Sequence, residues 1–537
     1  LDIEGEVWLG AGNNLLGRLN HETGIIENYM APSLNFGAVR SLLKYTENEL
    51  LVGTDNGLYL FNRELKTFLR ADNPADPRSL SDQTINGMMW DAEGALWVLT
   101  NLGGINYMSK QTKRFDYYSP AYLSGIPGAG EVVGPFCENK DGNIWIGTQS
   151  GLYFFNAVTR ELTEHPIGGV KGQKYDIRSL MLDGDCLWIG TYAEGIRVLN
   201  LRTGSIKEYT HSRGIPNTIC SNDVLCMYKD RKGEIFVGTS WGLCRYNPDA
   251  DNFMTITSIG SMISVGDIYE DMYNNLWIAT TNSGVFSYNT LSGHWKHFQH
   301  EREDSTTITS NSVITVFEDN KGVMWFGTNG GGLCSFDPKT EAFIEFDSSL
   351  PNKVIYSIEQ DQTGDFWISS NAGIFKINPI SKAHFRQFTI NDGLQGNQFM
   401  ARSSLRSSEG KLYFGGINGF NVFQPERFVD NAYIPPVYVT DIRLSYLNDE
   451  QEVKKLLQQG KPVYMADKIT LSYENNSFTI RFVALSYEDP ARNRYSYILK
   501  GVDKEWITNS ENNSASYTNL PPGEYEFEVR GSNNDHQ

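Results

Sequence analysis

Cysteine is scarce in this 537-residue chain: Cys137, Cys186, Cys220, Cys226, Cys244 and Cys334 are irregularly spaced, with no Cys-x-x-Cys pair and no histidine at zinc-finger spacing. They read as small apolar filler on strands rather than metal ligands. Cys226 and Cys244 fall on successive strands of one segment and pair only if their register permits. No apolar run reaches 18 residues, and no basic stretch followed by an apolar one marks a signal peptide, so nothing in the chain reads as a membrane-spanning helix. Basic residues are the minority, 46 against 64 acidic, giving a net charge of -18. That balance removes the electrostatic footprint of a polyanion binder, and nucleic acid is not an expected partner. The eight histidines show no His-Glu-x-x-His spacing, and His294, His297 and His300 read as a solvated edge strand rather than a metal site. Gly330 to Gly332 stand between strands and not before a helix, so no phosphate cradle is present. No cofactor is expected, and no helical period appears.

What the chain has instead is repetition. The phrase DGNIWIGTQSGLYFFN, from Asp141 to Asn156, recurs ten times around Trp8, Leu51, Trp97, Trp145, Trp188, Phe236, Trp277, Trp325, Trp367 and Tyr413, nine steps with a mean of 45 residues. That period suits one four-stranded propeller blade. In the ninth copy KVIYSIEQ, DFWISS, IFKIN and HFRQF read as four strands divided by Gly-Asp-Asn turns. The glycine opening each third strand (Gly57, Gly151, Gly195, Gly242, Gly284 and Gly373) is expected where positive φ or close backbone approach excludes a side chain. The central tryptophans are expected to pack between neighbouring blades as core. Asp91, Asp141, Asp230, Asp271, Asp319 and Asp361 recur just after the first strands, and this recurrence points to turn formation rather than catalysis.

Antiparallel parity puts the turns between strands one and two, and three and four, on one side of the disc. The loops between strands two and three and between blades share the other side. The first set is short and uniform; the second is long and variable, as at 72–87, 211–223 and 299–312. Binding is expected on the variable face. It carries Asn101, Gln149, Tyr192, Trp241, Asn282, Asn329, Asn371 and Asn418 as candidates for hydrogen bonding and stacking with a carbohydrate. Trp241 is the sharpest, standing in SWGL where other copies have a polar residue. Arg197, Arg213, Arg245 and Arg302 offer guanidinium groups for an acidic ligand if they converge, although the net acidity favours a neutral oligosaccharide.

After Pro425 the repeat stops. IPPVYVTDIRL begins a new strand, a polar linker at 447–462 follows, and KITLSYENNSFTIRFVALSY leads into a small β-sandwich. The G-x-hydrophobic-W-I-G-T-x-x-x-G-L phrase, joined to the tail from Arg492 to Asp535 with Tyr495, Tyr497, Tyr517 and Tyr525, resembles the extracytoplasmic sensor region of Bacteroides-type hybrid two-component systems. The resemblance implies an all-β chain: seven-bladed β-propellers built of two-component-regulator repeats, then an Ig/fibronectin-like sandwich called Y_Y_Y. On that pattern residues 1–114 are the last three blades of a first, incomplete propeller, 115–428 a complete seven-bladed one, and 434–537 the sandwich, truncated at its C-terminus. Since a three-blade remnant leaves an open edge, segments are expected before Leu1. The resemblance further implies a periplasmic region that senses an oligosaccharide and controls polysaccharide-utilisation genes. The parent would be homodimeric, anchored in the inner membrane and fused to a cytoplasmic histidine kinase, with no catalytic residues in this segment. A propeller glycosidase or lyase, and a protein-interaction scaffold, are the rival readings.

Overall fold

A computed structural model describes the chain apart from residues 1, 4–5, 13, 31–34, 73–78, 110–114, 121–131, 169–172, 261, 347–349, 351, 381–384, 429–430, 445–461, 467, 510–512 and 536. The boundary expected at 114, and the linker at 447–462 apart from Pro462, lie outside the described residues. The chain divides into two compact units, Thr112–Phe428 and Leu1–Gln111 with Val429–Gln537.

Seven antiparallel four-stranded sheets make up Thr112–Phe428. Blades one to six open on the strands Val133–Glu138, Ile177–Asp183, Val224–Lys229, Val265–Glu270, Val313–Glu318 and Ser357–Gln360, and each continues outward through three consecutive strands. Blade seven takes Phe399–Arg406, Leu412–Gly416 and Gly419–Phe423 from one end of the unit and its fourth strand, Asp116–Tyr118, from the other, with Asp116 opposite Val422 and Tyr118 opposite Phe420. The first strands adjoin one another in a cycle, and Phe399–Arg406 lies beside Val133–Glu138. This is the propeller arrangement the period implied. The strand expected over 353–360 is shorter, because Val354 bridges back to Asn329 of blade five.

Blade stacking buries the tryptophans as anticipated: Trp277, Trp325 and Trp367 are at most 6% exposed and pack on the following blade. The repeated aspartates do more than turn the chain. Asp361 Oδ1 accepts from the backbone N–H groups of Thr363 (2.9 Å) and Asp365 (3.0 Å), while Oδ2 accepts the Trp367 indole N–H at 2.9 Å. Asp271 with Trp277 (2.8 Å), Asp319 with Trp325 (3.0 Å) and Asp91 with Trp97 (2.8 Å) repeat the bond. A carboxylate suits both duties because each oxygen accepts, so one side chain ties the turn and anchors the core ring.

Blades one, two, three and seven lack the pair; blade two has Leu182 and blade seven Ser407 at the aspartate position, and blade one corrects the sequence reading. In blade one the position six residues before Trp145 is Asn139, not Asp141, which is exposed. Asn139 Oδ1 takes the N–H groups of Asp141 and Asn143, but its amide nitrogen is a donor, so buried Trp145 Nε1 has no partner among the described residues. In blade three Phe236 replaces the tryptophan, and the orphan is Asp230 Oδ2. Asn139→Asp is expected to stabilise the propeller by about 1 kcal/mol, the value of a regained buried hydrogen bond; urea denaturation of the two chains checks it.

A second device pins blade to blade. The residue closing the first strand accepts a backbone N–H from the preceding blade's turn: Glu270 from Arg231 (2.8 Å), Glu318 from Met272 (2.9 Å), Gln360 from Asn320 (2.8 Å). Glu138 does the same to Ser408, N–H at 2.8 Å and hydroxyl at 2.7 Å, joining the first blade of the unit to the last.

The other unit contains sheets opening on Asp2–Ile3 and Val39–Lys44, a three-stranded sheet Ile85–Trp90, Leu96–Thr100 and Ile105–Met108, and two three-stranded sheets after Val429. These last two, Val437–Leu444, Phe478–Ala484 and Ser514–Tyr517 against Arg494–Lys500, Ile507–Asn509 and Glu526–Ser532, share a core of Ile480, Phe482, Tyr495, Tyr497 and Tyr517. Two sheets around one apolar layer are the expected sandwich. It docks on the three-stranded sheet. Glu93 accepts the Ser486 hydroxyl (2.6 Å) and the Tyr487 N–H (2.8 Å), and the Tyr487 ring meets Trp97 edge-on at 5.3 Å.

Candidate functional site

The face carrying the long loops is held by a repeated clamp. Gly195 and Gly284, just before their third strands, and Gly373, the first residue of its own, donate N–H to the carbonyls of Asn222 (2.9 Å), Asn311 (2.9 Å) and Asn397 (2.6 Å), which lie in the loops entering the next blade. The side chains of those asparagines accept from the N–H of His211 (2.6 Å), His300 (2.7 Å) and Ile390 (2.9 Å) at the loop's other end. A Cβ on Gly373 (φ 101°) would stand 2.0 Å from Phe388 O, which is why the position has no side chain.

His211 and His300 complete the clamp, each with Nδ1 2.7 Å from a carbonyl, that of Ile219 or Ile308. A carbonyl only accepts, so Nδ1 carries the proton. The loops at 211–223 and 299–312, variable at first reading, therefore share His, then Thr-Ile, then Ser-Asn at identical offsets. His300 is a loop brace, and His297, exposed on the edge strand Trp295–Phe298, stacks on Phe286 at 3.9 Å, so the cluster lies on a solvated edge as expected. His294 lines a cleft of about 450 Å³ between blades four and five with Trp277, Lys296 and Glu341. Among the described residues no group of three or more His, Cys, Asp or Glu is placed to hold a metal.

Trp241 is 63% exposed and borders a cleft of about 470 Å³ with His211, Thr218, Cys220, Thr255 and Thr257. An indole left in solvent beside hydroxyl and amide groups offers a flat apolar face with hydrogen-bonding groups around it. Behind the cleft a disulfide joins Cys220 to Cys244 and ties the entering loop to the third strand. The filler reading is corrected for Cys220 and Cys244, and the register does not permit the conditional Cys226–Cys244 pair: Cys226 stands opposite Gly238, with Sγ 3.6 Å from Val265 O in the blade interface.

The remaining candidates occupy two successive backbone positions after the second strands and spread around the propeller. Gln149, Tyr192 and Asn329 each donate N–H to the residue preceding their blade's first strand, Val132, Asp176 and Ser312. Tyr192 is 54% exposed with the Arg178 guanidinium 5.4 Å from its ring centre. Asn282 accepts from the Ser283 hydroxyl, Asn371 from the Asn352 amide, and Asn418 takes its N–H to Gln395 Oε1 at 3.0 Å. Asn101 repeats the first of these positions in the other unit, with its N–H on Thr84 O. Of the arginines, Arg197 is buried and bonded to Glu208 and Ile167 O, and Arg245 pairs with Glu234, so neither is available to an anion. Arg213 and Arg302 are exposed in loops entering blades three and five. The condition set for an anion site, that the four arginines converge, is therefore not met.

Sequence reasoning missed Asp176, Arg178, Asp223, Asp267 and Arg402. Burial raises the carboxyl pKa of Asp223 and of Asp267 above the ordinary carboxylate range. The signal available in sequence was charge within or just before first strands that otherwise alternate apolar and small residues.

Residues 258–282, 307–330 and 349–372 match the two component regulator propeller, and residues 486–537 match the Y_Y_Y domain. The chain thus combines two component regulator propeller repeats with a Y_Y_Y domain. It is homologous to a histidine kinase: histidine kinase P4 of Formosa agariphila is 26% identical over 458 residues, 82% of this chain and 32% of that protein. The chain spans about a third of that relative's length. Among solved structures, the extracellular domain of BT4673 from B. thetaiotaomicron, described as a hybrid two component system, is 22% identical, with 100% of this chain and 72% of that chain covered and a TM-score of 0.49. Virginiamycin B lyase from Staphylococcus aureus is 16% identical over 57% of this chain and 97% of its own, with a TM-score of 0.44. Among the described residues no helix is long and apolar enough to cross a membrane.

Proposed function

We propose that this chain is the periplasmic ligand-sensing region of a hybrid two-component sensor, and that its ligand is an oligosaccharide released by glycan breakdown. Residues 115–428 form the recognising propeller, 1–114 the closing blades of a preceding one, and 434–537 the sandwich that passes the signal to a membrane-anchored, homodimeric kinase controlling polysaccharide-utilisation genes. The observation carrying this reading is Trp241: a large apolar ring held in solvent on a braced loop face, beside a cleft of oligosaccharide size, in a chain homologous to a histidine kinase. Signalling needs the ligand to prefer one of two states, by about 5.5 kcal/mol to invert a 1:99 population.

Calorimetric titration with oligosaccharides of plant, host and microbial glycans tests the reading. One saccharide is expected to bind, and Trp241→Ala to weaken it at least tenfold with the melting temperature unchanged. Silence across the collection, or release of products from a glycan by this chain alone, would replace the sensor with a scaffold or an enzyme.

A further inference from the structure

The first strands of six blades carry a register shift near their starts, between Val133 and Phe136, Ile177 and Ser179, Val224 and Cys226, Val265 and Asp267, Val313 and Thr315, and Phe399 and Ser404. A residue so displaced leaves the ladder and is free to turn away from the blade stack. In blades three, four and five the displaced residues are Leu225, Gly266 and Ile314; in blades two and seven Arg178 and Arg402 lie within the shifted segments. Arg402 shows where they go. Its Nη1 lies 3.7 Å from the point a Cβ of Gly266 would occupy, although blade seven is separated from blade four by two blades on one side and three on the other. Such an approach is possible only across the centre of the ring.

Arg402 meets charge there from two other blades. Asp223, at the entry of blade three, is in Coulombic reach of Arg402, Arg178 and Asp176, and Asp267 of blade four is in reach of Arg402. Some of these groups satisfy one another: Arg178 Nη2 donates to Asp176 at 2.7 Å, and Asp267 accepts the N–H groups of Val316 (2.9 Å) and Ile268 (3.0 Å). Three atoms are left over. Arg178 Nε, Arg402 Nη1 and Asp223 Oδ1 are shielded from solvent and have no partner among the described residues. Buried polar atoms of this kind are costly unless a bound molecule completes them.

Charge and hydrogen-bond sense select the molecule. Three carboxylates face two guanidinium groups, so a uronate or sulfate would add negative charge to a site already short of positive charge. A hydroxyl both accepts and donates. Neighbouring hydroxyls on a sugar can accept from the two guanidinium N–H groups and donate to Asp223 Oδ1, while Tyr192, beside Arg178, offers a ring face at the rim. Ser240, next to Trp241, donates its N–H to Asp223 O at 3.1 Å, so the indole cleft and the axial residues are joined by one short segment.

We propose that the axial mouth of the propeller is a subsite for a neutral sugar unit with vicinal hydroxyls, held by Arg178, Arg402 and Asp223; this rests on the oligosaccharide-sensing reading above. The test titrates the whole chain with neutral probes (cello-, manno-, xylo- and laminari-oligosaccharides) and acidic ones (oligogalacturonates and sulfated disaccharides). A neutral probe is expected to bind, with Asp223→Asn and Arg402→Gln each weakening it at least tenfold and the exposed Tyr192→Ala about threefold. Tyr192→Ala keeps the test valid should an axial variant fail to fold, since its loss removes no buried contact. Binding of acidic probes alone overturns the neutral class. A neutral probe weakened by Trp241→Ala but indifferent to Asp223→Asn, Arg402→Gln and Tyr192→Ala overturns the axial subsite and leaves the sensor standing. No binding from either set overturns the glycan reading, and the subsite with it.

Discussion

Asp361→Ala is expected to lower the stability of the propeller by about 4 kcal/mol, read as a shift of its unfolding transition in urea. The carboxylate holds the turn through Thr363 and Asp365 and accepts the indole N–H of Trp367, a side chain with no solvent exposure. Removing it costs charge-assisted hydrogen bonds worth about 1.5–3 kcal/mol and leaves a buried donor unpaired for a further 1–3 kcal/mol. Asp361→Asn separates the parts. An asparagine keeps an acceptor for the turn, as Asn139 does in blade one, but turns a donor toward the indole, so about half the loss is expected to remain. Trp367→Phe combined with Asp361→Asn should then be less damaging than the two single changes summed, because the orphan donor is gone. Additive losses would show that the indole bond contributes nothing and that the aspartate serves the turn alone.

This pairing also marks where the sequence stops being readable. The blade period, the strand alternation and the glycines at the start of third strands are local properties, each legible because a few adjacent residues impose it. The aspartates were legible as turn formers for the same reason. Their second role was hidden in plain offsets: Asp91, Asp271, Asp319 and Asp361 all precede their tryptophan by six residues, and counting back from Trp145 gives Asn139 rather than Asp141. The clamp of His211 and Asn222 was equally present, copied at His300 and Asn311, but loops of similar length and different composition concealed it. The disulfide partner of Cys244 depended on loop geometry, since Cys220 lies in the connection before the strand and not on it. Arg402 was the least accessible. Its neighbours come from blades whose first strands lie well over a hundred residues away, and only closure of the ring brings it to Asp267 and Asp223. Of the candidate residues, Trp241 was visible as a departure from the repeat and Tyr192 by its place in a second-to-third-strand loop, whereas the charged axial groups had no local pattern to depart from.

Ring closure also creates a pH dependence. Glu359 of blade six is desolvated at the contact with blade seven, where its Oε1 accepts the Ser404 hydroxyl at 2.8 Å and Arg406 lies in Coulombic reach. Burial outweighs both favourable contacts and pushes its carboxyl up to about 7 from an ordinary 4.5. Below both values folded and unfolded chains alike hold the proton, and the group contributes no dependence. As pH rises from about 4.5 the unfolded chain releases the proton while the native chain retains it, so native stability falls until the carboxyl ionises near 7. At about 1.4 kcal/mol per unit the loss across this window is about 3.5 kcal/mol, about 2.5 kcal/mol of it between pH 5 and pH 8. Urea denaturation at pH 5 and pH 8 should show that difference, and Glu359→Gln, which keeps an acceptor for Ser404 without a charge to desolvate, should remove most of it. An equal fall in both chains would assign the dependence to other groups. A reduced fall in Glu359→Gln would place at the junction of blades six and seven a carboxylate whose ionisation loosens the ring beside Arg402, so that saccharide affinity measured at the two pH values should weaken at pH 8 in the unmodified chain and hold steady in the variant.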